Sequence, residues 1–232
     1  MAKNLILKVS EKGARKTANA LKSVGSAVKD VGVKAGIATA GIGVLSAKLA
    51  GDFQKSLLEV STLTGDFSDV ALKKMSRELR QVASDSGLAL GSISKAKYDI
   101  VSAGFSNAAE SAEVLRVSAQ LAVGGVTSAA EAADLLTTSL NAMGLDFTNT
   151  QKVADELFTT VRLGKTTMGE LSATLGQVLP FANAAGLSLS GVGAAMATLT
   201  ASGISTAQSA TALRSAIQSL QSPSDQSRTL MR

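Results

Sequence analysis

Apolar residues recur along most of the chain in steps of three and four. Ala129, Ala133, Leu136, Leu140 and Met143 form one such series; Leu171, Leu175, Val178, Ala182 and Ala185 form another; Ala210, Leu213, Ile217 and Leu220 form a third. This period puts each series on one face of an α-helix, whereas a half-buried strand alternates every second residue. The pattern predicts helices near residues 67–85, 92–103, 107–123, 128–143, 149–163, 168–185, 190–202 and 206–221, preceded by one long helix over about 10–60.

Glycine punctuates this pattern at Gly87, Gly104, Gly124/Gly125, Gly144, Gly164, Gly186 and Gly203, at intervals close to twenty residues. Four of these sites vary one phrase: SAGFSNAAE, NAMGLDFTNTQ, NAAGLSLSG and TASGISTAQ. A glycine after a helix accepts the left-handed conformation, and Phe105, Leu145, Leu187 and Ile204 then supply the apolar contact of a Schellman stop. Start signals follow as capping boxes at Ser128…Glu131, Thr148…Gln151, Thr167…Glu170 and Ser205…Gln208. Short loops between helices of this length make antiparallel hairpins. The fold class expected is therefore all-α, a long N-terminal helix followed by antiparallel helix hairpins packed as a bundle or a short solenoid-like array.

Composition narrows the chemistry. Ala (38), Ser (29) and Gly (21) make up 88 of 232 residues, so close helix packing on small side chains replaces a thick aromatic core. Histidine and cysteine are absent, which removes His bases, Cys nucleophiles, disulfides and every Cys/His metal site. Ser94 and Lys97 form a pair expected by chance, with no oxyanion-hole motif beside it. GGVTSAAE at Gly124 lacks the Lys of a phosphate loop, and Gly191–Gly193 is an incomplete dinucleotide fingerprint. Asp155 and Glu156 are adjacent on a helix and face different ways, which suits solvent better than glycosidase chemistry. No catalytic, cofactor-binding or metal residue is assigned, and no small-molecule substrate is expected.

Charge divides the chain. Residues 1–34 hold eight Lys/Arg against two acids, and the remaining 198 hold 15 against 16, so the net charge of +5 is an N-terminal feature. Lys8, Lys12, Arg15, Lys16, Lys22, Lys29 and Lys34 fall on one helical face, able to meet phosphates, acidic protein or anionic lipid. The few aromatics weaken a nucleic-acid reading. The first 30 residues hold no uninterrupted apolar core of a signal peptide. Ala35–Ala47 is uncharged but has only 13 residues, short of the ~20 that span a bilayer.

A second uncharged tract runs for 43 residues from Leu171 to Leu213. Its expected role is a self-association or partner-facing surface, so that Glu at Ala182 or Met196 impairs assembly and leaves helicity intact. The two uncharged tracts also support a rival reading, a membrane-active helical protein of pore-forming or holin-like type. A helical-repeat adaptor has no motif in its favour.

With the Gly-apolar-Ser junctions in view, residues 52–221 resemble the N-terminal domain of phage tail tape measure proteins. The carriers are DFQKSLLEVSTLTGDFSD, ASDSGLALGSISKAKYDIVSAGFS, AEAADLLTTSLNAMGLDFTNTQKVADEL and GQVLPFANAAGLSLSGVGAAMATLTASGISTAQSATALRSAIQSL, four blocks in order. The resemblance implies a non-enzymatic virion component, a helical scaffold and ruler in the tail-tube lumen that is released during genome delivery. It implies a homo-oligomer, with tail tube protein, tail assembly chaperones and a baseplate hub as partners and contact with DNA or the host membrane left open. The localisation implied is the virion tail, preceded by host cytoplasm during assembly, with a stage at the host membrane also open. Family members continue past the ALR…L block into long helical tracts, whereas this sequence ends at Arg232. The division expected is residues 1–51 as a basic amphipathic helix plus a short apolar segment, 52–221 as the tape-measure-like helical domain, and 222–232 as a tail or the start of a downstream region.

Overall fold

A computed structural model describes residues 40–222, with side chains from Leu49 onward. The chain divides into two compact units between Asp52 and Phe53. Of the first unit, only residues 40–52 are described, as the opening turns of a helix. The basic face from Lys8 to Lys34 and the part of the long helix before residue 40 lie outside the described residues.

Ten α-helices and no strand occur among the described residues. They are α1 (Ala40–Thr64), α2 (Asp69–Ser86), α3 (Leu90–Ser102), α4 (Ala108–Gly125), α5 (Ala129–Met143), α6 (Thr150–Leu163), α7 (Met168–Leu175), α8 (Leu179–Ala184), α9 (Leu189–Ala201) and α10 (Thr206–Gln221). The all-α reading holds.

The stop signals work as the sequence implies. Gly104, Gly144, Gly186 and Gly203 take positive φ, and the N–H groups of Phe105, Leu145, Leu187 and Ile204 donate to carbonyls five residues back, at 2.9–3.2 Å. That is the Schellman bond, which satisfies an orphan carbonyl of the ending helix. Full capping boxes form at Ser128–Glu131 and Thr167–Glu170. Ser205 accepts the Gln208 N–H, but the Gln208 side chain returns only to the Ser205 hydroxyl. The box expected at Thr148…Gln151 does not form. The Asp146 carboxylate accepts the Thr148 N–H at 2.9 Å, caps a 3-10 turn over Phe147–Asn149, and delays α6 to Thr150.

The single helix expected over 168–185 is two helices. Pro180 has no N–H to donate, and in a continuous helix its ring would collide with the carbonyl of residue 176. The chain turns at Gly176–Val178 instead, and Pro180 sits in the first turn of α8, where its missing donor costs nothing.

From Phe53 onward the helices pack like a bundle, with alternate helices side by side in two rows. One row runs α2, α4, α6, α9; the other runs α3, α5, α7, with α8 and α10 at its end. Hairpin geometry makes each row parallel. Gly125 at the end of α4 lies against Met168 at the start of α7, the Ser92 hydroxyl of α3 accepts the Ala129 N–H of α5 at 3.1 Å, and Thr206 of α10 donates to Thr166 beside α7 at 2.8 Å. Helix α5 lies at the centre. Nine of its fifteen residues are buried, including Ala129, Ala132, Ala133, Leu135, Leu136 and Leu140, and it contacts α3, α4, α6, α7 and α8. Alanine on most sides lets five neighbours approach one rod.

One junction departs from the glycine rule. At the end of α4, Gly124 lies against the Phe158 ring and Gly125 against Met168, so both glycines serve close packing. The left-handed position passes to Val126, with φ 52° and its side chain 94% exposed. A β-branched residue there is strained by ~1–2 kcal/mol, and glycine entropy returns part of that on replacement. Val126→Gly is expected to raise stability by about 1 kcal/mol, read as a higher urea midpoint at unchanged slope. A lower midpoint would show that the Val126 side chain makes a contact worth more than its strain.

Candidate interaction surface

The uncharged tract Leu171–Leu213 supplies most of α7, all of α8 and α9 and the first half of α10, and it splits between interior and surface. Leu171, Leu175, Val178, Leu179, Ala182, Val192 and Met196 are buried in the core. Most of its outward positions are small or polar, among them Ala173, Gln177, Asn183, Ser190, Ala194, Thr198, Gln208 and Thr211, with Leu187 and Ile204 exposed at the helix junctions. The expectation that Ala182 and Met196 face a partner is therefore incorrect: both are fully buried. The tract lacks charge on its inner face because that face is core. Its outer face is an uncharged, hydroxyl- and alanine-rich surface, closed at the α10 end by Arg214, whose guanidinium lies 4.9 Å from the Phe181 ring centre.

Between α6 and α9 this surface opens into a groove of about 580 Å³. Lys152, Asp155 and Glu156 line it from α6, and Ser190, Gly193, Ala194 and Ala197 from α9. The two helices cross closely because glycines stand at the crossing. A Cβ on Gly193 would lie 2.3 Å from Thr160 Oγ1, and one on Gly164 would lie 2.9 Å from the Ala197 Cα. Asp155 and Glu156 share the groove, with Asp155 accepting from Gln151 Nε2 at 3.0 Å. Gly191–Gly193 opens α9, where Ser188 accepts the Gly191 N–H, and so serves capping and packing.

Ser94 and Lys97 are not paired. The Ser94 hydroxyl donates to the Leu90 carbonyl at 2.9 Å, while Lys97 Nζ donates to Glu78 Oε1 at 2.7 Å and to Ser111 Oγ at 2.8 Å. This trio, Lys97 and Ser111 buried and Glu78 half-buried, ties α2, α3 and α4 together, and the sequence reading missed it. A signal was present, since Lys97 follows Ile93 by four and precedes Ile100 by three, on the apolar face of α3. Burial pushes the Lys97 ammonium below the ordinary lysine value, outweighing the opposing pull of Glu78. Among the described residues, no group of three or more carboxylates gathers to hold a metal ion.

A family model described as "Phage-related minor tail protein" matches residues 73–232, over two thirds of the chain. This chain belongs to that family. The match begins inside α2 and takes in every later helix, including the uncharged surface and the α6–α9 groove. Among curated proteins, the minor tail chain is similar to the "Probable tape measure protein" of Clostridium phage phiCD119, 33% identical over 184 residues. That alignment covers 78% of this chain and 18% of the relative, so the chain spans about a fifth of the relative's length. No solved structure matches it.

Membership places the minor tail chain among the proteins of phage tails, in the company of other tail proteins. The membrane-active rival is not favoured, since no helix among the described residues is long and apolar enough to cross a membrane. The Ala35–Ala47 segment lies partly outside the described residues; from Ala40 it forms the start of α1.

Proposed function

We propose that this chain is the N-terminal part of a tape measure protein, acting without enzymatic activity as a scaffold and ruler for tail-tube assembly and leaving the tube during genome delivery. Supporting this reading is the similarity of residues 73–232 to the minor tail family, together with 33% identity to a probable tape measure protein. Its organisation under this reading is a basic amphipathic helix plus a short apolar segment over residues 1–51, a tape-measure-like helical domain over 52–221, and a tail or the start of a downstream region over 222–232. Partners follow from the role: further copies of the chain, the tail tube protein, tail assembly chaperones and a baseplate hub. It would occupy the host cytoplasm during assembly and the tube lumen in the virion.

The uncharged outer face of α9 is the surface proposed to meet those partners, because burying Ala, Ser and Thr desolvates no charge. The experiment is electron microscopy of tails from phage carrying variant genes. Deleting codons 73–221 in frame is expected to leave tails absent or of irregular length, and normal tails would overturn the reading. Ala194→Glu, at an exposed position of α9, is expected to cut intact virions by on the order of tenfold while the thermal melt of the isolated chain stays unchanged. Full virion yield with Ala194→Glu would remove α9 from the assembly surface.

A further inference from the structure

Helix α2 is attached differently from its neighbours. Leu79 is its one fully buried side chain, with Leu72, Met75 and Val82 half-buried, whereas nine of fifteen residues are buried in α5. Gly65 (φ 72°) and Gly87 (φ 70°) bound it as left-handed helix stops, as Gly186 and Gly203 bound α9, so its distinction lies in its packing. It carries Glu78, whose carboxylate reaches the buried Lys97 of α3 at 2.7 Å, and the same ammonium donates to Ser111 of α4. The pairs Lys55–Glu59, Lys95–Asp99 and Arg116–Glu113 each join residues three or four apart on one helix, whereas Glu78–Lys97 joins two helices.

A pair whose cation is buried and whose carboxylate is half-buried is a poor source of stability, since desolvation of the cation takes back much of the attraction, but it fixes one docked arrangement. The depressed Lys97 basicity points the same way, with burial outweighing Glu78. A thin apolar footing and a costly polar tie describe an element that can leave while the remainder persists.

We propose that α2 is a strap that undocks from α3 and α4 as a unit while α3–α10 stay folded, and that the Glu78–Lys97 pair is its latch. Undocking uncovers Lys97, Ser111 and the adjoining apolar faces of α3 and α4, a surface closed in the docked form. This inference rests on the helix packing alone and stands apart from the tape measure reading.

Hydrogen exchange by mass spectrometry on the full chain tests it, comparing α2 with α5. In the unmodified protein, α2 is expected to exchange as one block, at least about tenfold faster than α5. Glu78→Gln keeps the shape and removes the charge, and it is expected to speed α2 by a further tenfold or more with α5 unchanged. The double variant Glu78→Leu/Lys97→Met replaces the latch with apolar contact and is expected to slow α2 below the unmodified protein. Equal exchange of α2 and α5 in the unmodified protein overturns the strap, as does Glu78→Gln speeding both helices alike. If Glu78→Gln does not fold, the unmodified protein and the double variant decide, and a double variant that fails to slow α2 overturns the latch.

Discussion

Met196→Glu is expected to unfold the bundle, with loss of the cooperative melt and of most helical circular dichroism at 25 °C. Met196 lies on α9 with no solvent exposure, in the same core cluster as Leu171, Leu175, Val192 and Leu189. A carboxylate placed there has two options, and both are costly. It stays ionised without a cation beside it, or it takes up a proton and remains a polar group among methyls, while the packing of the methionine side chain is lost as well. The sum exceeds about 4 kcal/mol, a large share of the ~5–15 kcal/mol by which domains are stable. Ala182→Glu is expected to behave alike, since Ala182 is equally buried and its site also lacks the volume. Ala194→Glu, two residues before Met196 on the exposed side of α9, is the control and should melt as the unmodified chain does. A Met196→Glu chain whose unfolding free energy from urea titration stayed within about 1 kcal/mol of the control would take α9 out of the core.

That prediction reverses what the sequence implies, and the reason is physical. The absence of charge over Leu171–Leu213 reads as one surface because a one-dimensional tract has no sides. Folded, it has two, and Ala, Ser, Thr and Gly occur on both, so composition does not separate buried Ala182 and Gly193 from exposed Ala194 and Ser190. The helix ends were legible because their signals are local: Gly144 with Leu145 and Ser128 with Glu131 need nothing beyond five residues of chain. The break between α7 and α8 was masked because Leu171, Leu175, Val178 and Ala182 keep steps of three and four straight through it; Pro180 was the sign to follow. Thr148 lost its cap to Asp146, a charged acceptor two residues earlier in the same turn. The Lys97 tie and the α6–α9 crossing are contacts across 14 to 35 residues of sequence, which no local pattern encodes.

The α6–α9 crossing carries the second large effect. Gly164→Ala is expected to cost about 2–3 kcal/mol, although Gly164 has φ −96°, a conformation any residue adopts, so the cost is one of space and not of dihedral strain. The added methyl would stand 2.7 Å from Thr200 Oγ1, 2.9 Å from the Ala197 Cα and 3.0 Å from the Thr160 carbonyl oxygen. Two of those three obstacles are backbone, so α9 itself must move, and with it the Thr200 hydroxyl that accepts the Lys165 N–H at 3.1 Å. Comparison with two other glycines isolates the cause. At Gly125 the obstacle is Met168 Cγ, 2.5 Å from the built Cβ, and since Met168 is fully buried this atom clears only by re-orienting the whole side chain within the core, so Gly125→Ala should cost about 1–3 kcal/mol through side-chain repacking without a shift of backbone. At Gly193 the close atom is Thr160 Oγ1, and with that atom gone the nearest is the Thr160 Cβ at an ordinary 3.6 Å. Gly193→Ala should therefore destabilise alone and recover when combined with Thr160→Ala, a coupling of about 1 kcal/mol or more in a double-mutant cycle. Urea titration of these variants, with Thr160→Ala alone to close the cycle, reads all of this. If Gly164→Ala costs less than about 1 kcal/mol, helix α9 has room to shift, and the groove it forms with α6 is compliant enough to admit larger side chains from a partner.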